Sequence, residues 1–597
     1  MKKEQIKNRL TQLKQAMQKN GIAIYIIPMS DDHNSEYIGD YFKLVNYFSG
    51  FTGSAGTLVI AEEDAYLWTD GRYFLQAEQQ LDGTGIILRK MGEEGVPAIP
   101  EFVKGYMDGK RDAAVGFDGR LVSMAFAEKL DGLTIISDLD LAGEIWNRDK
   151  MCVRPNFPRG SVWKLEEFYA GQKTLEKLAK IREDMEKEAA DYLLLTTLDD
   201  IAWLTNLRGS DIAYNPVFMA NMIIGKEEAI IYCNITEKSI GSYLEKQGIC
   251  VHAYDDFYKD VQGIQEKSRV WADYANVSYL VHQKIPSTCE KIVKNNPVIN
   301  RKAVKNAIEV ENIRQAHIKD GVAVTKFIYW LKTRVCTGKE VATEISAAEK
   351  LEQFRRQQQD YLGESFSPII AYARHGAVVH YNAQDGGNTE LKADSFLLCD
   401  TGGHYLQGTT DITRTVAMGQ LTGEQKRHYT AVLAGNLRLA NAKFKHGLTG
   451  ANLDYLAREP LYRLGLDFNH GTGHGVGYLL NVHEGPNAFR MRGAENGVFE
   501  AGMVTSDEPG VYLEGEYGIR LENLLVCVKA EETGYGQFLC FEPLTMVPFD
   551  FDAIDVEMLT EEDKKLLLAY HKKVYEAIAD QLSEEEKSWL YKMITAI

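Results

Sequence analysis

The sequence has no long apolar run and no paired cysteines. Its first residues, MKKEQIKNRLTQLKQAMQKN, begin with lysines but lack the apolar core of a signal peptide. No stretch reaches the roughly eighteen apolar residues that a membrane span requires. The eight cysteines stand singly, without a CxxC pair, which argues against a thiolate metal site or a disulfide framework. We therefore expect a protein that lies in the reducing cytoplasm and has no membrane-spanning segment.

Basic residues are too few for a general nucleic-acid-binding surface. The chain carries 67 Lys and Arg against 85 Asp and Glu, a formal net charge of −18. Such a field disfavours binding to nucleic acid and to anionic membranes. The 45% of apolar and 25% of charged residues are typical of a folded protein. A chain of 597 residues is also too long for one hydrophobic core.

Two segments of the front half resemble each other. They are VNYFSGFTGS, residues 45–54, and IAWLTNLRGS, residues 201–210. Each follows a run typical of a buried strand and precedes a β-rich stretch, so we predict two copies of one α/β domain, residues 1–155 and 156–308. A third domain, residues 309–597, would begin with a helix whose apolar residues are Ile313, Ala316, Ala323, Phe327 and Trp330. Thr560 followed by Glu-Glu-Asp predicts the start of a C-terminal helix.

Chemistry concentrates in the last domain, where eight of thirteen histidines lie between His375 and His483. In DTGGHYLQGTTDITRT, Asp400 ends an apolar strand and Asp411 opens a second β-prone run. The intervening glycines suit a hairpin-like connection, which would bring both carboxylates to one end of a sheet. The alternative is that each Asp beside Gly only forms a turn.

Two further motifs add charged residues beside apolar strands. SDEPGVY places Asp507 and Glu508 after an apolar run, and GIRLENLLVCV places Arg520 and Glu522 two apart, which on a strand is one face. A surface ion pair is the alternative, but charges next to buried strands require a partner.

The stretch HGTGHGVGYLLNVHE, residues 470–484, has glycines at alternate positions. A dinucleotide loop requires G-x-G-x-x-G before a helix, whereas YLLNVHE is predicted to be extended. Alternate glycines instead let the backbone bend while a bulky group approaches the imidazoles. We therefore predict the wall of a metal site and not a phosphate loop.

The candidate ligands are Asp400, Asp411, His474, Glu508 and Glu522. Four carboxylates and one imidazole suit hard divalent ions such as Mn²⁺, Mg²⁺ or Co²⁺. One divalent ion would leave about two negative charges uncompensated, whereas two ions would nearly cancel the four carboxylates. A centre with two metal ions is the interpretation that follows.

These motifs resemble the pita-bread metallopeptidases, and within them the long, three-domain aminopeptidase P family. The matching elements are AVVHY around His380, the Asp400 and Asp411 pair, HGTGHGVG, NVHEGP, SDEPGVY and GIRLEN. YFSGFTGSAG and LTTLDDIAWLTNLRGSDIAYNPVF resemble the family's two N-terminal domains. The resemblance implies an α+β chain with two related creatinase-like α/β domains before a pita-bread catalytic domain.

The resemblance also implies roles for single residues. It makes Asp411 and Glu522 bridges between two ions, with Asp400 completing one ion and His474 and Glu508 the other. The substrate-binding histidines would be His380, His470 and His483. Arg520 would hold Glu522 in place. Gln407 departs from the family's usual residue, but it is not a ligand position.

The implied activity is removal of any N-terminal residue before proline, by attack of a hydroxide that bridges two metal ions. The expected ion is Mn²⁺, with Co²⁺ or Zn²⁺ as alternatives, and the expected partners are peptides and a second copy of the chain in a homodimer. Three alternatives stay open: a prolidase, a metal-free creatinase-like hydrolase, and a non-catalytic peptide-binding relative.

We expect the remaining histidines of the domain to be surface or satisfied core residues: His375, His404, His428 and His446. Trp68 and Trp203 are expected in the core, and TDGRY and NLRGSD in turns.

Overall fold

A computed structural model describes residues 3–110, 112–385, 387–491 and 497–595. Contacts divide the chain into two compact units. The first contains Met1–Leu165 and Gln172–Val298, and the second contains Glu166–Gly171 and Ile299–Ile597. In the part of the chain that the structure describes, no helix combines the length and apolarity of a membrane span.

The first unit contains two sheets of the same topology. In spatial order, the described strands of one are Ile86–Lys90, Ala65–Thr69, Thr57–Ala61, Ile22–Pro28, Ala114–Phe117 and Ile135–Ile136. Those of the other are Ile249–His252, Ala229–Cys233, Ala220–Gly225, Tyr192–Leu195, Arg269–Ala272 and Glu290–Val293. Each sheet has two antiparallel pairings followed by one parallel pairing on one side, and two parallel pairings on the other. This shared order confirms the predicted duplication.

The two similar sequence segments form helices that end in the same way. Leu44–Ser49 ends at Gly50 with φ +76°, and Leu198–Thr205 ends at Asn206 with φ +53°. Glycine and asparagine tolerate this left-handed cap better than other residues do. Trp68 and Trp203 are buried, as predicted.

Helices cover the sheets of the first unit. They are Lys3–Lys19, Phe74–Leu81, Ile99–Met107, Met124–Glu128, Leu141–Arg148, Thr174–Lys187, Lys238–Lys246, Phe257–Gln262 and Tyr279–Lys284. Short 3-10 turns lie at Asp40–Phe42 and Tyr254–Asp256, and Val162–Lys164 pairs with Leu207–Gly209, so NLRGSD contains a short strand as well as a turn. Backbone bonds join the two halves of the unit, because Met124 donates to Val277 at 2.9 Å and Tyr279 donates to Val122 at 2.8 Å.

The second unit combines helices with antiparallel sheets. Its helices are Glu167–Ala170, Ala307–Trp330, Glu344–Arg355, Gly423–Ala440, Gly450–Leu453, Tyr455–Tyr462, Glu561–Ile578 and Glu584–Ile594, with a π-helical turn at Leu331–Val335. Helix Pro297–Ala303 begins with the last two residues of the first unit. The predicted apolar face of Ala307–Trp330 is buried. Thr560 caps Glu561–Ile578 by accepting a bond from the Asp563 amide at 3.1 Å, which confirms the predicted helix start.

The strands of the second unit form four sheets among the described residues. The largest runs Lys443–Lys445, Gly536–Pro543, Asn523–Thr533, Val504–Asp507, Gly473–Gly475 and Glu484–Phe489. A second contains Ile369–Tyr372, Phe396–Thr401 and Ile412–Ala417, and a third contains Tyr361–Glu364, Gly403–Tyr405 and Gly408–Thr409. A two-stranded ribbon pairs Gly510–Leu513 with Tyr517–Arg520. This mixture of helices and sheets confirms the predicted α+β class.

Candidate metal centre

Two neighbouring strands carry the first pair of candidate ligands. Phe396–Thr401 runs antiparallel to Ile412–Ala417, and Asp400 lies opposite Thr413. Asp411 directly precedes the second strand and is buried. The predicted hairpin-like pairing is therefore confirmed, and it places both carboxylates at one end of a sheet.

The alternate glycines around His474 lie against neighbouring backbone. A Cβ on Gly473 would meet the Ser506 carbonyl oxygen at 1.8 Å, and one on Gly475 would meet that of Glu484 at 2.2 Å. Any side chain at either position would push the adjacent strand away. The glycines thus allow a central strand to carry His474 between two closely packed neighbours.

The segment YLLNVHE does not form the predicted extended chain. Leu479 has φ +47°, and the Gly477 amide donates to the Asn481 carbonyl at 3.0 Å, which closes a turn. A strand begins only at Glu484. The prediction of an extended conformation is wrong, because the apolar residues of YLLNVHE are buried by a bend and not by strand pairing. No helix follows the glycines, as the argument against a phosphate loop requires.

The five candidate ligands lie in one cluster. Ligand atoms of Asp411, His474 and Glu522 lie within 4.8 Å of one another. The His474 Nε2 atom is 3.5 Å from Asp411 Oδ2 and 3.6 Å from Glu508 Oε1. Asp400 is the last but one residue of the strand beside Asp411, and its charge raises the pKa of Glu508, so it belongs to the same cluster.

The His474 ring is oriented by its other nitrogen. Nδ1 donates to the Gly475 carbonyl at 2.9 Å, because a carbonyl can only accept. This leaves Nε2 facing the carboxylates, as a ligating imidazole requires. Burial lowers the pKa of His474, but Asp411 and Glu508 outweigh burial and raise the pKa to about 9.

The carboxylates repel one another in a buried place. Burial, with the charges of Asp411, Glu508 and Asp400, raises the pKa of Glu522 well above its usual range. Burial raises the pKa of Glu508 to about 7, although His474 and Arg520 oppose this. Buried like charges of this kind need compensating cations.

Arg520 does not hold Glu522 directly. Its guanidinium donates to Asp400 at 2.5 Å and to the Tyr512 hydroxyl at 2.8 Å. Its link to Glu522 runs through Thr413, whose hydroxyl is 3.4 Å from Arg520 Nε and donates to Glu522 at 2.9 Å. The prediction that one strand carries both residues is wrong, because one strand ends at Arg520 and the next begins only beyond Glu522.

The backbone of Glu522 is held by a residue that the sequence interpretation missed. Arg414 is 2% exposed and donates to the Glu522 carbonyl at 2.6 Å. It also donates to Asn523 at 2.8 Å and to the Tyr570 hydroxyl at 2.9 Å. The available signal was an arginine inside the β-prone run DITRTVA, since a buried charge needs several partners.

The three predicted substrate-binding histidines occupy different positions. The His483 ring lies 4.3 Å from the His474 ring, edge to face. The Nε2 atom of His470 is 2.8 Å from the Tyr512 hydroxyl. His380 is half-buried on another loop, and the ring of the next residue, Tyr381, packs against the same apolar cluster as Tyr512. Tyr512, which the sequence interpretation missed, thus contacts His470 and packs against the same cluster as Tyr381.

The four other histidines between His375 and His483 have ordinary partners. These pairs are His375 with Glu344 at 2.8 Å, His404 with Thr409 at 3.1 Å, His428 with Tyr517 at 2.9 Å and His446 with Glu500 at 2.8 Å. The prediction that they are surface or satisfied core residues is confirmed.

The donor set fits divalent ions. Bonds of about 2.0–2.2 Å place neighbouring ligand atoms about 3 Å apart and opposite ones about 4.2 Å apart. The 3.5 Å between His474 Nε2 and Asp411 Oδ2 falls in this range, and ligand atoms of Asp411, His474 and Glu522 all lie within 4.8 Å of one another. The oxygen-rich set and its mutual repulsion also favour hard cations.

Family models match almost the whole chain. Metallopeptidase family M24 matches residues 311–529, and the C-terminal region of peptidase M24 matches residues 537–597. Two creatinase/prolidase N-terminal domain models match residues 9–142 and 153–309. Together with the fold, these matches define the class: a metallopeptidase preceded by two creatinase-type domains.

Relatives over the full length narrow this class. A probable Xaa-Pro aminopeptidase P of Neurospora crassa is 38% identical over 98% of this chain and 88% of its own length. Xaa-Pro aminopeptidase 1 of Dictyostelium discoideum is 34% identical over 100% of this chain and 97% of its own. The chain belongs to the Xaa-Pro aminopeptidases of metallopeptidase family M24.

Solved structures separate the long form from the dipeptidases. X-prolyl aminopeptidase from Caenorhabditis elegans, described as a cytosolic enzyme with a di-nuclear active site, matches 98% of this chain and 99% of its own at TM-score 0.91 and 33% identity. An Xaa-Pro dipeptidase from Bacillus anthracis matches 63% of this chain and 99% of its own, at TM-score 0.50 and 27% identity. The full-length match favours the aminopeptidase over the prolidase alternative.

Proposed function

We propose that this chain removes the N-terminal residue from peptides whose second residue is proline. The convergence of Asp411, His474 and Glu522 in a chain similar to Xaa-Pro aminopeptidases over its full length carries this proposal. The substrates would be peptides with a free N-terminus, and proline selectivity rests on the similarity alone.

The proposed cofactor is a pair of divalent metal ions, with Mn²⁺ first and Co²⁺ or Zn²⁺ as alternatives. Asp411 and Glu522 would be shared by both ions, Asp400 would complete one, and His474 with Glu508 the other. The closeness of Asp411, His474 and Glu522 and the oxygen-rich donor set support this arrangement. When bound, the ions would supply Lewis-acid activation of water and of the scissile carbonyl.

The side chains around the ions would bind the substrate and move protons. Glu508, with 18% of its side chain exposed at the edge of the cluster, would carry a proton from water to the leaving nitrogen. His483, beside His474, would donate to the oxygen on which negative charge develops. Arg520 would keep Asp400 ionised and oriented, as their contact supports.

The substrate would also contact His470 and His380. His470 is hydrogen-bonded to Tyr512, and Tyr381, the residue after His380, packs against the same apolar cluster as Tyr512. We further propose three domains, residues 1–155, 156–308 and 309–597, which the two separate sheets of the first unit support.

We also propose that the protein forms a homodimer and is located in the cytoplasm. Eight free cysteines support that location.

Replacement of Glu522 by Gln tests the site. We expect at least about a 100-fold loss of turnover of an Xaa-Pro-Yaa peptide with added Mn²⁺, because even changes around metal ligands cost 10–100-fold. Glu531→Gln is a matched control on the exposed end of the following strand, where the side chain is 51% exposed. Turnover of the Glu522 variant within a few-fold of the parent would contradict the assignment.

The dipeptidase alternative has its own test. We expect the parent protein to cleave an Xaa-Pro-Yaa tripeptide and longer peptides as well as an Xaa-Pro dipeptide. Cleavage restricted to the dipeptide would identify a prolidase instead.

A further inference from the structure

A buried ion pair is hydrogen-bonded to the segment that connects Asp400 and Asp411. Asp320 on helix Ala307–Trp330 accepts two bonds from Arg355, the last residue of helix Glu344–Arg355. The distances are 2.7 Å from Nε to Oδ1 and 3.1 Å from NH2 to Oδ2. The two side chains are 0% and 1% exposed. This fork geometry is rigid and holds a definite orientation.

The pair contacts three points of one short segment. Arg355 donates to the Thr401 hydroxyl at 3.0 Å. Thr410 and Tyr405 donate to Asp320 at 2.7 Å and 2.9 Å. The segment that connects the two ligand-bearing strands is therefore attached to the pair at both ends and in the middle.

These attachments flank the two carboxylates. Thr401 follows Asp400 directly, and Thr410 directly precedes Asp411. Within strand Phe396–Thr401 neighbouring residues point to opposite faces, so a bond that fixes the Thr401 hydroxyl also orients the Asp400 carboxylate. Thr410 and Asp411 directly precede strand Ile412–Ala417, so the bond of Thr410 to Asp320 restrains the backbone next to the Asp411 carboxylate. The two ends of the segment are pressed together as well, because a Cβ on Gly402 would lie 2.1 Å from the Thr410 carbonyl oxygen.

Stability alone does not account for an ion pair at this position. Desolvation of two buried charges offsets much of their attraction, so apolar residues of similar size would often stabilise a fold equally well. Burial acts to raise the pKa of Asp320, but Arg355, Thr410 and Tyr405 hold it below its usual value, so the carboxylate stays charged. The pair is also hydrogen-bonded to two threonines beside candidate ligands. This arrangement indicates that the pair orients those ligands.

We propose that the Asp320 and Arg355 pair positions Asp400 and Asp411, and thereby sets the affinity of the chain for its metal ions. The pair acts through Thr401 and Thr410 and touches neither ion nor substrate. This inference rests on the proposed metal centre, in which both carboxylates are ligands.

The test replaces the two hydroxyl contacts and leaves the ion pair intact. Thr401→Val and Thr410→Val, combined in the full-length protein, keep the side-chain shape and remove these two bonds, together with the bond that the Thr410 hydroxyl accepts from the Gly403 amide at 2.9 Å. Thr325→Val is the matched control, since Thr325 is a buried residue of the same helix as Asp320 whose hydroxyl has no partner in the described structure. Mn²⁺ is titrated into metal-stripped parent, double variant and control, in competition with a chelator.

We expect the double variant to bind Mn²⁺ about 10- to 100-fold more weakly than the parent, with an unchanged affinity in the control. Arg355→Lys, which keeps the charge but loses the fork, should weaken binding in the same direction. A double variant with lower thermal stability but unchanged Mn²⁺ affinity would show a purely structural role and overturn the proposal. If the parent itself binds no Mn²⁺ and cleaves no Xaa-Pro peptide, the proposed function fails and this inference fails with it.

Discussion

Thr413 shows how one side chain can link two charged groups of a site. Its hydroxyl donates to Glu522 and lies within reach of Arg520, while its strand pairs with that of Asp400. The position of each charge is therefore set by uncharged neighbours as much as by other charges. For this reason, single polar residues away from the ligands are informative targets for mutation.

His571 gives a prediction for pH at the scale of a single residue. Its Nε2 accepts from the Phe549 amide at 3.1 Å, so protonation would break that bond. Burial lowers the pKa of His571 to about 3. Above pH 6.5 the His571 ring is neutral in the folded and in the unfolded chain, so it adds no pH dependence to the free energy of unfolding. As the pH falls below 6.5, the unfolded chain gains a proton that the folded chain cannot accept, so stability falls.

We expect this loss to reach about 2 kcal/mol between pH 6.5 and pH 5, at 1.36 kcal/mol per pKa unit. Denaturant unfolding at both pH values measures it. His571→Gln should reduce the difference, whereas His446→Gln, at a side chain 44% exposed, should not. The same pH dependence in the parent and the His571 variant would contradict this account.

At the residue scale, the sequence predicts the candidate ligands that the structure brings together, but it does not predict the residues that hold them in place. Asp411, His474 and Glu522 stand in short motifs of unusual composition, and the structure brings them together. Arg414 and Tyr512 lie in ordinary strand patterns, and their partners are distant in sequence. Only tertiary packing decides which distant group meets a buried guanidinium or hydroxyl.

At the scale of elements, strand Gly473–Gly475 depends on the absence of side chains. We expect Gly473→Ala to displace the strand of Ser506, because the added carbon would meet backbone at 1.8 Å. Overpacking of this kind costs about 1–3 kcal/mol or more. It should also weaken Mn²⁺ binding through His474.

Gly423→Ala is the control, since it starts a helix and a Cβ there meets nothing within 4 Å. It should leave stability unchanged or slightly higher. Thermal unfolding and Mn²⁺ titration of both variants provide the measurement, and normal stability and binding of the Gly473 variant would contradict the packing argument.

Elements with strong periodicity were predicted well, and those defined by local bends were not. Helix Ala307–Trp330 and the capped helix Glu561–Ile578 follow apolar spacing and capping residues. The bend at Leu479 and the break between Arg520 and Glu522 have no such local signal. Apolar residues in these stretches are buried in either conformation, so composition cannot choose between a strand and a turn.

At the scale of the whole molecule, the two units should respond differently to metal removal. The candidate ligands all belong to the second unit, and each unit has its own hydrophobic cores. Mn²⁺ at 100 times its dissociation constant would stabilise the second unit by about 2.7 kcal/mol. We expect calorimetry to show one transition that moves on chelation and one that does not. Equal shifts of all transitions, or none, would contradict this.

The order in which the converging side chains occur along the chain has a consequence for synthesis. Glu522 comes last, after four partners that are spread over more than a hundred positions. A ribosome must therefore translate almost the entire message before the five groups can meet. A product that stops before Glu522 would lack one of the five proposed ligands, so we expect it to cleave no peptide.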